Sequence, residues 1–507
     1  MSVGSPLSIR LPKALLGLVC AVSTLLSPVA AGAQSSDTPS LIRDTEAEEI
    51  LREDADPVLR AAGLNPSDVT IHLVASSDLN AFVSSGQNLF IHTGLIIETT
   101  SPNQLIGVIA HETGHLAGGH IARSGAAGRA AMAPMILGMG LGILAAIAGA
   151  PDAAAGLIYS STYFAQISVL GYSREQESAA DQAAVTYLER SGQSARGLVE
   201  FFDNFRFQEV LSEARQYPFF RSHPLSSQRI EALRLRAQEQ PHWTQSDNAA
   251  AITRHAVLKA KLEGFLNAPS QTLAEYPESD RSFPARYARA IAMYRATDTT
   301  HALAAIEALI TEQPNNPYLW ELKGQVLFES GRAAEAVPAH LRSVQLRPDS
   351  PLLLINLGQA MLATDNAAQI DQAIAYINRA VALEHDNPLG WRLLSEAYDR
   401  KGDAGMARLA AAEQNFALGQ SHQALVFAMR AREILPQNTP QWRRATDIVL
   451  VSNPTQEDLR AVGQPGRQAP TPPTTPSPTP QTPAPSQTPT PTEAPPRSRA
   501  PLPDALN

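Results

Sequence analysis

Two histidines four residues apart, with a glutamate beside the first, are the residues best suited to chemistry in this chain: Val108-Ile109-Ala110-His111-Glu112-Thr113-Gly114-His115. In a helix, positions i and i+4 share a face, so His111 and His115 can offer imidazole nitrogens to one metal while Glu112 reaches a water on it. A polar helix face with a chance match would read the same way, so the pattern needs support. Downstream, Tyr172-Ser173-Arg174-Glu175-Gln176-Glu177-Ser178-Ala179-Ala180-Asp181 supplies it. Glu177 and Asp181 are one helical turn apart. One carboxylate can enter the coordination shell while the other accepts a hydrogen bond from the far nitrogen of a ligand histidine. By itself this stretch would equally be an acidic helix start capped by Ser173. Joined to the upstream pair, it gives His111, His115 and Glu177 as metal ligands with a fourth position open, the catalytic form of a zinc site, and Asp181 as their support.

The chemistry expected of one Zn2+ per chain in such a set is peptide hydrolysis. The metal acidifies a water, Glu112 takes its proton, the hydroxide attacks a carbonyl, and Glu112 returns the proton to the leaving amine.

Several further motifs resemble the zinc metalloproteases related to HtpX, and among them the periplasmic BepA-like branch that carries tetratricopeptide repeats after the protease domain. Asn80-Ala81-Phe82 and Ile91-His92-Thr93-Gly94-Leu95 look like the family's strand pair before the active-site helix. His120, Ser173-Arg174, the Glu177 to Asp181 pattern, and His223-Pro224 with Arg229-Ile230 match further family positions. Gln104 stands where the family usually has an acidic residue, and Gly119 where it commonly has arginine. The resemblance spans residues from about 41 to 450. It implies an endopeptidase of the Gram-negative periplasm that degrades misfolded or misassembled outer-membrane proteins, with repeats that bind clients or the assembly machinery. The alternative is a chaperone or assembly scaffold with a latent or vestigial metal site. The resemblance also gives His223 three readings: a latency ligand in the place of the catalytic water, a donor to the tetrahedral oxyanion, or a helix-start residue before Pro224.

The elements that must position these residues follow from the rest of the chain. Val69 to Ala75 and Leu79 to Ser84 alternate well enough to be short strands, and the edge near Phe82 to Ser85 could hold extended substrate backbone. Arg10 and Lys13, then the uncharged run Ala14 to Leu26 and Ala31-Gly32-Ala33, read as a cleaved secretory signal over 1–33. The only cysteine, Cys20, lies in that run, so a mature form would have no disulfide and no thiolate metal site. Residues 34–250 are expected to form the metallopeptidase domain, with 251–283 as linking helices. Inside the first of these, 130–150 carries no charge; Pro134 and five glycines between 125 and 142 favour a broken apolar flap over a spanning helix, so 130–170 reads as a possible peripheral membrane contact.

From Pro284, prolines recur at Pro317, Pro351 and Pro388, the period of tetratricopeptide helix pairs, over 284–455. Residues 404–450 read as a degenerate last unit. From 463 to 507 the chain is Pro, Thr, Gln and Ser, a composition that cannot build a core and is expected to be a disordered tail. Lys and Arg total 40 against 49 Asp and Glu, a net charge of −9, which argues against nucleic acid as a partner. The fold expected is therefore mostly α: an α+β zincin-like metallopeptidase domain with a small β-sheet, followed by an α-solenoid of tetratricopeptide repeats.

Overall fold

The computed structural model describes residues 40–120, 174–205, 219, 223, 226–364 and 366–463. The expected signal segment with Cys20, the apolar flap at 130–170 and the tail beyond 463 lie outside the described residues. No helix among the described residues is long and apolar enough to cross a membrane.

The protein has a small mixed sheet of β1 (Ser40–Ile42), β2 (Thr70–Ala75), β3 (Ala81–Ser84) and β4 (Asn88–His92), in the order β1-β2-β4-β3. β3 and β4 form an antiparallel hairpin, β2 runs parallel to β4, and β1 lies antiparallel on β2. Both expected strands are present, shorter by one or two residues at their starts, and β3 is an end strand of the sheet. The hairpin turns through Gly86 and Gln87, both at positive φ (80° and 57°), a conformation glycine takes without steric cost. β1 had no signal in the sequence, because three residues are too few to show a period.

Beneath the sheet run α1 (Thr45–Ala61), α2 (Thr93–Glu98), α3 (Pro102–Ala117), α4 (Arg174–Arg190), α5 (Arg196–Phe205) and α6 (Ser227–Gln238). α3 is buried at every position from Pro102 to His115, which makes it the central rod of this layer. Its neighbours approach closely because the contact points are glycines. A Cβ on Gly107 would sit 2.8 Å from the Leu198 Cα, and one on Gly114 would sit 2.8 Å from the Ala180 carbonyl oxygen.

The expected linking segment contains α7 (Ala249–Leu266) and α8 (Pro269–Glu275). α7 belongs to two cores: Leu258 and Leu262 pack with α1 to α6, while Val257 packs with the first repeat. The repeats are the helix pairs α9 (Phe283–Arg295) and α10 (Thr299–Glu312), α11 (Pro317–Glu329) and α12 (Ala333–Leu346), α13 (Pro351–Leu362) and α14 (Ala367–Leu383), and α15 (Pro388–Lys401) and α16 (Ala404–Ala417). The four recurring prolines all occupy the first helical turn, where a missing N–H costs nothing. Each follows a cap, Ser282, Asn316, Ser350 or Asn387, whose side chain accepts from a backbone N–H. The expected last unit divides differently. α16 packs on α15, in the pair opened by Pro388, and as extensively on α17 (Ser421–Ile434), which is followed by α18 (Pro440–Val451) and α19 (Gln456–Gly463).

Candidate metal centre

α3 begins with a reciprocal cap. Ser101 Oγ accepts from the Gln104 N–H at 3.3 Å, and the Gln104 side chain accepts from the Thr100 N–H at 3.0 Å. A neutral amide performs this as well as a carboxylate, which accounts for the tolerance of Gln104. Two turns later the helix carries His111, Glu112 and His115, all fully buried. α4 lies across it at the Gly114–Ala180 contact, and this places Glu177 and Asp181 of its first turns against the two histidines. His223 arrives from a separate segment, its N–H donating to the Phe219 carbonyl at 2.7 Å while the Phe219 N–H donates to the Leu79 carbonyl at 3.4 Å. The Phe219 ring stacks on the His223 imidazole at 4.6 Å.

These elements bring four donor atoms to one point. His111 Nε2 and His115 Nε2 are 3.1 Å apart, His111 Nε2 and His223 Nδ1 3.3 Å, His115 Nε2 and Glu177 Oε1 3.3 Å, and His223 Nδ1 and Glu177 Oε1 3.0 Å. A tetrahedral zinc with bonds of roughly 2.0–2.1 Å holds its ligands about 3.3 Å apart, so the cluster has the size of a zinc shell. All four side chains are buried. Nitrogen lone pairs and carboxylate oxygens crowded at this distance repel unless a cation or protons lie between them, and the donor set is therefore suited to a divalent metal.

The surrounding residues orient these donors. Asp181 Oδ1 is 2.9 Å from His111 Nδ1, leaving Nε2 for the centre, and His120 Nδ1 is 3.0 Å from His115 Nδ1 with the same effect. Arg229, on α6, donates to Asp181 through Nε at 2.5 Å and Nη2 at 2.9 Å, and its Nη1 is 2.6 Å from Glu177 Oε2. Its guanidinium also lies over the Phe202 ring at 5.1 Å. One buried cation thus fixes both carboxylates of α4.

Burial would raise Glu177, but the charge of His223 and hydrogen bonds from His111 and His115 hold it far below the usual carboxylate range. Burial likewise opposes ionisation of Asp181, and Arg229 overcomes it, so Asp181 also stays low. His111 is pushed down by burial but raised to about 9 by Asp181 and Glu177, whereas burial takes His115 down to about 2. The centre therefore attracts positive charge on one side and keeps a neutral imidazole on the other. Glu112 is different: burial raises its carboxyl, and although His223 Nε2 is 3.4 Å from Oε1, neither carboxylate oxygen makes a hydrogen bond among the described residues. A buried, unbonded carboxylate beside a metal cradle is placed to exchange protons with a reacting group.

All of the residues singled out in the sequence, His111, Glu112, His115, Glu177, Asp181 and His223, meet within this cluster. The role of Arg229 as the clamp on both carboxylates was not visible in the sequence. Its only signal was a place in the His223 to Ile230 motif, and the partners it clamps are 48 and 52 residues away in the chain.

Residues 42–237 match the family model described as Peptidase family M48, and residues 287–351 match the Tetratricopeptide repeat model. The chain carries a Peptidase M48 domain followed by tetratricopeptide repeats. The beta-barrel assembly-enhancing protease of Yersinia pestis is 25% identical over 364 residues, covering 70% of this chain and 72% of that one. The protein of the same name from Escherichia coli is 25% identical over 356 residues, with the same coverage of 70% and 72%. Metalloprotease LoiP of Escherichia coli is 28% identical over 180 residues, 34% of this chain and 64% of its own, as expected of a relative that shares the M48 domain.

Proposed function

We propose that the M48 domain is a zinc-dependent endopeptidase of the periplasm that cleaves misfolded or misassembled outer-membrane proteins, and that the repeats bind those clients or the assembly machinery. The observation that carries the peptidase reading is the set of four buried donors at 3.0–3.3 Å with an unbonded Glu112 beside it. The client class rests on the names of the relatives, two of which are beta-barrel assembly-enhancing proteases, and the compartment on the signal-like reading of residues 1–33 alone.

In this reading His111, His115 and Glu177 hold the metal, and Asp181, Arg229 and His120 keep the ligands in their tautomers and orientations. Bound zinc supplies Lewis acidity, which polarises a carbonyl and makes water a stronger acid. Glu112 accepts the proton of the attacking water. The burial that raises its carboxyl makes it a better base for that step and a competent acid for the next, delivery of the proton to the leaving amine. β3, at one end of the sheet and packed against α3, is placed to align an extended substrate backbone.

His223 Nδ1 occupies the fourth corner of the donor set, the place where an attacking water belongs. The proposal is therefore a latent enzyme that becomes active when the His223 segment withdraws. Of the three sequence readings, latency is the one supported by this position: an oxyanion donor would stand beside the centre, not among its ligands. The test of function is a paired digestion. An outer-membrane barrel held unfolded in urea-diluted buffer should be cut and its micelle-folded form spared, with cutting lost on chelation. Equal cutting of both forms would remove the client reading, and no cutting by either the natural chain or a His223-free variant would remove the peptidase reading.

A further inference from the structure

Between the repeat arm and the M48 domain is a cavity whose lining includes Asp44, Lys261, Phe265, Glu321, Phe328 and Asn356. One wall is the end of β1 and the start of α1; the other is formed by α11 and α13, with α7 between them. Its two flexible cations are already matched. Arg43 meets Glu48 and Glu384, each at 2.6 Å, and Lys261 meets Asp44 at 2.7 Å and Glu46 at 3.1 Å. Two carboxylates per cation leave the remaining charge of the lining negative.

The lining carboxylate Glu329 accepts from Tyr294 and Gln325, which makes Glu321 the group this leaves over. It is 8% exposed, its Oε1 accepts from Asn356 Nδ2 at 3.1 Å, and its Oε2 has no hydrogen-bond partner among the described residues. His340, 3% exposed on α12 and lining the same cavity, also has an Nδ1 without a hydrogen-bond partner. A buried acceptor left unbonded has lost its water without a replacement, a cost that a visiting donor would remove. Burial keeps the Glu321 carboxyl above the usual range although Lys261 pulls it down, because Asp44 and Glu46 add to the effect of burial. A second cation in the cavity would reverse that balance. Gln325, Asn356 and Gln359 line the same cavity with amides able to bond an extended backbone, and Phe265 and Phe328 give it apolar surface.

We propose that this cavity binds a basic side chain, lysine or arginine, of an extended client segment, with its charged head on Glu321 Oε2 and its stem against Phe265 and Phe328. The inference rests on the reading of the arm as client-binding and gives that arm a specificity. It places the captured segment beside β1, on the sheet whose other end strand packs against the active-site helix.

The test uses the full chain carrying Glu112→Gln, so that the probe is not cut. Binding is read by fluorescence anisotropy of a labelled nine-residue unstructured peptide with one central lysine, and of its twins with norleucine or glutamate at that place. The lysine peptide should bind about tenfold more tightly than the norleucine twin, as expected for one hydrogen bond to a charged group. Glu321→Gln should remove that preference while leaving norleucine binding within about twofold, and adding Asn356→Asp to it should restore the preference by returning a carboxylate to the cavity. Equal binding of the lysine and norleucine peptides, preference for glutamate, or a lysine preference that survives Glu321→Gln would overturn the proposal while leaving the arm a client binder. Binding of none of the three peptides would overturn both.

Discussion

Replacing His223 with alanine should switch the enzyme on. Two interactions hold the imidazole at the centre: the stack on Phe219 at 4.6 Å, and the bond of Nδ1, which is 3.0 Å from Glu177 and would go to the metal instead when one is bound. An aromatic pair contributes about 0.5–1.5 kcal/mol, and the Nδ1 bond is taken at no less than a hydrogen bond to a charged group, about 1.5–3 kcal/mol, so the closed arrangement is favoured by ~2 kcal/mol at the low end. That leaves roughly 3% of molecules open, and removing the side chain should raise kcat/KM about thirtyfold. The assay is cleavage of a quenched fluorescent unfolded protein, with metal content measured on the same samples. Phe219→Leu is the companion variant, since it loses the stack without touching a donor atom. It should activate by a smaller factor, roughly five, if the stack contributes about 1 kcal/mol. A tenfold loss of activity in His223→Ala at unchanged metal content would refute this reasoning and make His223 an oxyanion donor.

Arg229→Leu leaves Glu177 and Asp181 buried without their cation, which should cost about 3–5 kcal/mol of stability in urea unfolding of the chelated protein, and a loss under 1 kcal/mol would remove Arg229 as the clamp. Gly114→Ala places a methyl against the Ala180 backbone, so α3 and α4 must separate. The expected cost is about 1–3 kcal/mol together with weaker metal retention, and an unchanged melting temperature would show that the helices are less tightly apposed than described. Burial raises Asp54 to about 7 although Arg254 pulls it down. Its folded pKa is above its unfolded value near 4, so the stability tied to its protonated form is complete below about pH 4 and is lost as pH rises through 7. In Asp54→Asn the decline in chemical-denaturation stability between pH 4 and 7 should be shallower, and an unchanged slope would exclude Asp54 as its source.

The candidate metal site was readable because its chemistry is local: His111 and His115 are four residues apart, and Glu177 and Asp181 are four apart, so each pair declares a shared helix face without reference to the fold. The repeats were readable for a related reason, since Pro317, Pro351 and Pro388 mark the same turn of successive helices at nearly constant spacing. What stayed hidden depends on contacts between distant segments. Arg229 looks like any arginine on a half-exposed helix until α4 and α6 pack together. β1 is three residues long and becomes a strand only through pairing with β2. The boundary of the last repeats is hard to read because α17 opens at Ser421 without a proline, the next helix-start proline being Pro440 of α18. α7 read as a linker because its residues carry no period that distinguishes one buried face from two, yet it fills both cores.

The most direct test of the metal-centre account measures metal content and cleavage of an unfolded protein in parallel, for the mature chain, for His223→Ala, and for His223→Ala combined with Glu112→Gln. One zinc per chain in all three, cleavage highest in His223→Ala, and a fall of about 10²–10⁴ on adding Glu112→Gln is the expected result. Zinc bound with undiminished cleavage in the double variant would contradict the role given to Glu112, and a chain that binds no zinc would contradict the centre itself.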